Sequence, residues 1–108
     1  MNIIIKKKVT EKQFHELGRY FDGYIKVVVD VERGILAGGA DRHFKEEKIL
    51  LTNGSKQKDL WGGGFDIKTK EIDYNSVINL RPQENPSRDI LSLDIRKKFD
   101  DIIKKIFL

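Results

Sequence analysis

The apolar residues of this chain repeat with the period of a helix at both ends and with the period of a strand in between. Near the start, Phe14, Leu17 and Phe21 recur at the intervals of one helix face. From Tyr24 to Val31 the chain is rich in β-branched residues that alternate between two faces, as in a strand. Near the end, a second helical stripe comprises Ile95, Phe99, Ile102, Ile103 and Ile106. The pattern predicts an α+β fold in which two amphipathic helices cover one face of a sheet.

Both predicted helices begin at recognisable caps. Thr10 and Gln13 have the spacing of a capping box, in which each side chain bonds the backbone N–H of the other residue. Ser92 is a favourable N-cap for the second helix, and Asp94 places negative charge in its first turn. Gly23 is typical of a helix stop, so we expect the first helix to end before it.

Between the helices, short apolar segments separated by turn residues predict a mainly antiparallel sheet of five to six strands. The segment Lys48–Thr52 precedes Asn53-Gly54, a typical hairpin turn. The run Gly62–Gly64 interrupts the next strand, which predicts a bulge or a flexible connection there. The predicted order is β-α-β-β-β-β-β-α, with strands at residues 2–7, 24–31, 35–38, 48–52, 60–67 and 71–80.

The length and composition limit the class of protein. At 108 residues, the chain has room for a single domain, residues 1–108. Cysteine is absent, which excludes disulfides and thiolate chemistry. The start lacks the charge pattern of a secretory signal, and no apolar segment approaches the roughly 18–20 residues that span a bilayer. We therefore expect a cytoplasmic protein without membrane contact, and its high charge with abundant Lys and Ile matches the composition of a thermophile.

The most informative polar residues follow the predicted last strand. Because side chains alternate along a strand, Asn79 and Arg81 are expected to project together toward solvent. Ser87 and Arg88 lie in the loop before the second helix, whose N-terminus attracts anions. The set predicts a site for a phosphate or carboxylate, with Trp61 nearby. The alternative is structural, with Arg81 in an ion pair and the asparagines holding the loop.

Asp41 and His43 form the second candidate site. A carboxylate beside an imidazole can orient it as a general base, which makes this pair the candidate for acid–base catalysis. An ordinary surface histidine is the alternative. The spacing of these residues matches no standard metal motif, and the sequence predicts no metal and no cofactor.

Several motifs resemble a family of small bacterial and archaeal proteins known only as a domain of unknown function. The most specific are the segment from Gly54-Ser55-Lys56-Gln57 to Leu60-Trp61-Gly62 and the motif Asn79-x-Arg81-Pro82. Asp41-x-His43 also matches, whereas the proline at 86 departs from the family's compact turn. The resemblance implies no activity, but it implies that Asp41, His43, Trp61, Asn79, Arg81 and Ser87 gather at one place.

Three functions fit these residues. The leading hypothesis is an uncharacterised protein that binds a small anionic or polar ligand at the sheet edge. The second is a nucleic-acid-binding module, since the net charge is +4 and Lys6–Lys8 form a dense basic run, although a solvated rim explains that run as well. The third is a protein-interaction domain or homodimer without catalytic activity, pairing through an exposed strand edge.

Overall fold

The computed structural model describes residues 3–108 of the chain. Among them are five strands: β1 (Ile3–Ile5), β2 (Tyr24–Asp30), β3 (Ile35–Gly38), β4 (Leu60–Asp66) and β5 (Ile72–Asp73). The same residues hold three α-helices: α1 (Glu11–Leu17), α2 (His43–Thr52) and α3 (Leu93–Phe107). The strands form one antiparallel sheet in the order β1-β3-β2-β4-β5. The predicted α+β class is confirmed; residue 2, assigned to the first strand, lies outside the described residues.

Helices α1 and α3 cover one face of the sheet, as predicted, although α1 ends at Leu17 and Phe21, assigned to its apolar stripe, lies beyond the helix and is exposed. The rings of Phe14, Phe65 and Phe107 meet there, with 5.0 Å between the centroids of Phe65 and Phe107. Phe99 and Ile103 of α3 are fully buried in the same cluster. This aromatic and aliphatic contact is the larger of the two cores and fixes both helices on the sheet.

Helix α2 covers the opposite face, which corrects the prediction of a strand at Lys48–Thr52. Leu50 packs in a second core with Val28 and Leu60, so the segment needs a helical face toward the sheet rather than a strand partner. The Asn53-Gly54 pair is a helix stop, because Gly54 has a positive φ of 103° and the N–H of Ser55 bonds back to the carbonyl of Leu50.

The predicted last strand, residues 71–80, is also wrong over most of its length. Strand β5 pairs only Ile72 and Asp73 with β4. The chain then forms a short 3-10 helix, Val77–Asn79, for which Ser76 is the N-cap. The hydroxyl oxygen of Ser76 accepts a hydrogen bond from the N–H of Ile78 at 3.3 Å.

The predicted caps are present at both outer helices. In α1, the N–H of Thr10 donates to Gln13 Oε1, and the N–H of Gln13 donates to Thr10 Oγ1. In α3, Ser92 Oγ accepts from the N–H of Ile95 at 3.2 Å. No helix among residues 3–108 has the length and apolar character that crossing a bilayer requires.

Candidate functional site

The three glycines of β4, Gly62–Gly64, lie where neighbouring segments come closest to the sheet. A Cβ on the first would lie 2.6 Å from the Cβ of Ser76. A Cβ on the second would overlap the carbonyl oxygen of Asp73, and one on the third would overlap the hydroxyl of Tyr24. Strand β4 pairs with β2 along its whole length, so the predicted bulge or flexible connection is wrong. The glycines instead allow close approach to the backbone.

Asn79 is fully buried and uses its whole side-chain amide to extend the edge of β4. Its Oδ1 accepts from the N–H of Gly62 at 2.8 Å, and its Nδ2 donates to the carbonyl of the same residue at 2.9 Å. Nδ2 also donates to the carbonyls of Tyr74 and Arg88. The amide thus replaces a strand backbone, and the expectation that Asn79 projects toward solvent with Arg81 is wrong.

Arg81 stacks on Trp61, with its guanidinium carbon 3.7 Å from the centre of the ring. Its Nη2 donates to the carbonyls of Gln57 and Leu60 at 3.1 and 2.8 Å. Its Nη1 is buried with no acceptor within residues 3–108, and burial lowers the pKa of this side chain. The structure therefore brings Trp61 and Arg81 together, but in a contact that holds the guanidinium against the ring rather than in an open cleft.

Asn85 organises the loop before α3. Its Nδ2 donates to the carbonyls of Asn79, Ser87 and Asp89, as the structural alternative predicts. The hydroxyl oxygen of Ser87 accepts from the N–H of Asp89 at 3.0 Å, and Arg88 is exposed. Ligand binding by these loop residues stays a prediction.

His43 is the first residue of α2 and does not pair with Asp41. The carboxylate of Asp41 bonds Lys45 at 2.8 Å, and that hydrogen bond lowers its pKa. Nε2 of His43 lies 2.7 Å from the carbonyl oxygen of Gly63. Because a carbonyl can only accept, this nitrogen carries the proton in the neutral ring, and Nδ1 is left as the acceptor. A backbone carbonyl, not the predicted carboxylate, orients the imidazole.

The charge of His43 depends on groups from three strands. Burial lowers its pKa below the usual value, and the positive charge of Lys26 on β2 acts in the same direction. The bond to the carbonyl of Gly63 and the negative charge of Asp73 oppose that shift. The pKa of His43 therefore lies below its usual value, and the ring is predominantly neutral at pH 7.

The start of α2 forms one wall of a depression of about 310 Å³. We call it the α2 depression; it is lined by Lys26, Arg42, His43, Phe44, Ser76, Val77 and Ile78. No side chain caps the first turn of α2. Of the sequence-predicted site residues, His43 is the one that lines this depression.

Glu46, one turn along α2, is fully buried. Its Oε2 accepts from the N–H of Ala40 at 3.0 Å, and its Oε1 has no partner within the described chain. Burial raises the pKa of Glu46 to about 9, against the opposing effects of the Ala40 hydrogen bond and the charge of Lys26. The carboxyl group is therefore protonated and neutral at pH 7.

Comparison with known proteins places the chain in a family without an assigned activity. The family described as "Protein of unknown function (DUF5674)" matches residues 3–106. The chain belongs to this family. Searches of curated proteins and of solved structures each give no match. Family membership thus agrees with the resemblance noted in the sequence and indicates no substrate.

Among residues 3–108, no group of three or more His, Asp or Glu side chains could hold a metal ion.

Sequence reasoning missed Lys26, Arg42 and Glu46. Lys26 could have been noticed, because a charged residue interrupts the otherwise apolar segment from Tyr24 to Val29 of a central strand. Arg42 and Glu46 were hidden by assigning Lys48–Thr52 to a strand, since without α2 there is no helix start beside His43.

Proposed function

We propose that the protein binds a small anion, a phosphate or carboxylate group, in the α2 depression. The observation that carries the proposal is that two cationic side chains, Lys26 and Arg42, line one depression at a helix start without a side-chain cap. The ligand class is the one expected from the sequence. Its proposed place is different, since the Arg81 guanidinium already lies against Trp61 and donates to backbone carbonyls.

The charge of the α2 depression supports this proposal. Within residues 3–108, neither Lys26 nor Arg42 forms an ion pair. The carboxyl group of Glu46 does not neutralise Lys26 at pH 7, because burial raises the pKa of Glu46 to about 9 and the group stays protonated. The carboxylate of Asp41 is engaged by Lys45. Two positive charges without a carboxylate partner therefore line the depression, although the ammonium group of Lys26 also lies 5.1 Å from the centre of the Phe21 ring.

The backbone and the remaining polar groups also suit an anion. Helix α2 runs for ten residues, and the N–H groups of its first turn favour negative charge. The hydroxyl oxygen of Ser76 already accepts from the N–H of Ile78, which leaves its own hydrogen to donate. His43 adds a third positive charge whenever its ring is protonated.

Charge-neutralising variants test this proposal. We expect wild-type protein to bind inorganic phosphate in isothermal titration calorimetry at low ionic strength. Lys26→Gln and Arg42→Gln should each weaken binding by about tenfold or more, since each removes a charged contact worth on the order of 1.5–3 kcal/mol. Lys48→Gln is the matched control, because it removes the same charge from an exposed position of α2 outside the depression.

The control should change the affinity by less than about twofold, as expected for a distant screened charge. Absence of phosphate binding by the wild-type protein would contradict the proposal. Equal losses in all three variants would also contradict it, since they would indicate a response to net charge rather than to a site.

Anion affinity should also depend on pH through His43. Its pKa lies below the usual value in the free protein, and a bound anion raises it, so binding takes up a proton. Affinity should therefore be highest below the pKa of the free protein and fall as the pH rises toward 8. Sulfate is a suitable probe, since its own charge is constant from pH 5 to 8.

We expect sulfate affinity to fall by about tenfold between pH 5 and pH 8, because the ring loses its proton and with it one positive charge beside the anion. In His43→Gln the amide can still donate to Gly63 but does not titrate, so the affinity should become independent of pH. Lys26 and Asp73, the charged groups that act on the ring, are unchanged in this variant, as is Glu46 on the same helix. A variant that keeps the wild-type pH dependence would exclude His43 as its source.

A further inference from the structure

We infer that the anion bound in the α2 depression is the ester of a small planar apolar group, an aryl phosphate in chemical class. This inference rests on the proposed anion site and specifies the organic group that is attached to the bound phosphate. The observation is an exposed apolar wall formed by Phe44, Val77 and Ile78 on the same depression as the cations.

The apolar wall is largely exposed in the free protein. The side chain of Phe44 is 57% exposed and that of Val77 is 59% exposed. Ile78 is half-buried against the core beneath α2. Phe44 directly follows His43 in the first turn of α2, so an anion at the helix start would carry its ester group onto this wall. A purely inorganic anion would leave that apolar surface in water.

Size and polarity define the organic group. A depression of about 310 Å³ lies at the lower end of the volumes that ligand pockets have, which suits one ring beside a phosphate group. The wall supplies aliphatic and aromatic surface with no polar group beyond the anion site, so a planar apolar ring fits it better than a sugar. A flat ring can also stack on the exposed face of Phe44.

Paired phosphate esters test the inference on the full chain. We expect phenyl phosphate to bind the wild-type protein about tenfold more tightly than methyl phosphate, since the ring transfers apolar area from water to the wall. In Phe44→Ala and Val77→Ala this ratio should fall to about twofold, because the phenyl ring loses the apolar surface that it contacts. Leu93→Ala is the matched control, since Leu93 is 80% exposed on α3 and does not line the depression.

The results separate this inference from the proposal on which it rests. Binding of both esters with equal affinity would overturn the inference and leave the anion site intact. Failure of both esters and of inorganic phosphate to bind would overturn the proposed function itself. A preference for phenyl phosphate that survives in both wall variants but is lost in Leu93→Ala would place the ring elsewhere and overturn the inference. Circular dichroism spectra that match the wild-type spectrum establish that each variant is folded.

Discussion

Replacing Asn79 with alanine is expected to lower the free energy of unfolding by about 4 kcal/mol. The substitution removes four side-chain hydrogen bonds to backbone groups inside the protein. It leaves the N–H and the carbonyl of Gly62 without these partners, whereas the carbonyls of Tyr74 and Arg88 each keep a bond from a backbone N–H. Unpaired buried polar groups cost about 1–3 kcal/mol each, and structural relaxation recovers part of that sum. Urea denaturation measures the loss directly.

Asn75→Ala is the matched control for Asn79→Ala. Asn75 is exposed, and its Nδ2 donates to the carboxylate of Asp89 at the surface, so its removal should cost less than about 1 kcal/mol. Asn79→Asp should be at least as damaging as Asn79→Ala, because it turns an oxygen toward the carbonyls that Nδ2 now bonds. Equal stability of the two alanine variants would mean that Asn79 is not the structural link between β4 and the following loop.

Glu46→Gln is expected to raise the free energy of unfolding by about 3 kcal/mol at pH 7. Near pH 4.5 we expect no difference between the variant and the wild-type protein. The pKa of Glu46 is about 9 in the folded protein against an ordinary value of 4.5. Between these values the folded state keeps a proton that the unfolded state releases. The stability contribution of Glu46 is thus fully present below pH 4.5 and falls by about 1.4 kcal/mol per pH unit above it.

Glutamine is uncharged in both states, so the variant should lack this decline. Its oxygen can accept from the N–H of Ala40, as Oε2 of Glu46 does. Glu47→Gln, the control at the next position, changes the same charge on a side chain that is not fully buried. Urea denaturation at several pH values between 4.5 and 8 measures the difference. Parallel profiles for wild-type protein and Glu46→Gln would show that Glu46 ionises in the folded state.

The sequence predicted the parts of the fold that depend on local signals. The capping box of α1 and the Ser92 cap of α3 involve neighbours three residues apart, and both are present. The apolar residues of α3 keep the helical period over all fifteen residues, so its buried face could be predicted from the sequence. These elements form because propensity, capping and burial favour the same structure.

The errors arose where one signal has two structural uses. Asn53-Gly54 is typical of a hairpin, but the same pair can also end a helix. The structure has the helix, because a helical segment buries Leu50 of α2 against the sheet. The alternation of residues 71–80 indicated a strand, yet beyond Asp73 this segment bonds the backbone of β4 through the side-chain amide of Asn79 rather than through its own backbone. In both cases the deciding contacts join residues distant in sequence, which local patterns cannot report.

For the same reason, the sequence patterns predicted only one of the residues that line the α2 depression. His43 was recognisable as a titratable residue in a predicted loop, but its partner is the carbonyl of Gly63, which any residue type could supply. Lys26 and Arg42 line the same depression because α2 packs on the sheet face to which Val28, two residues from Lys26, also points. The site therefore follows from topology rather than from spacing along the chain.

Titration of isotope-labelled protein with inorganic phosphate, followed through backbone amide resonances, tests the central claim most directly. A site in the α2 depression predicts saturable shifts that are largest for the amides of residues 42–45 and 76–78. Shifts confined to the loop from Arg81 to Arg88, shifts confined to Lys6–Lys8, or no saturable shift would contradict it.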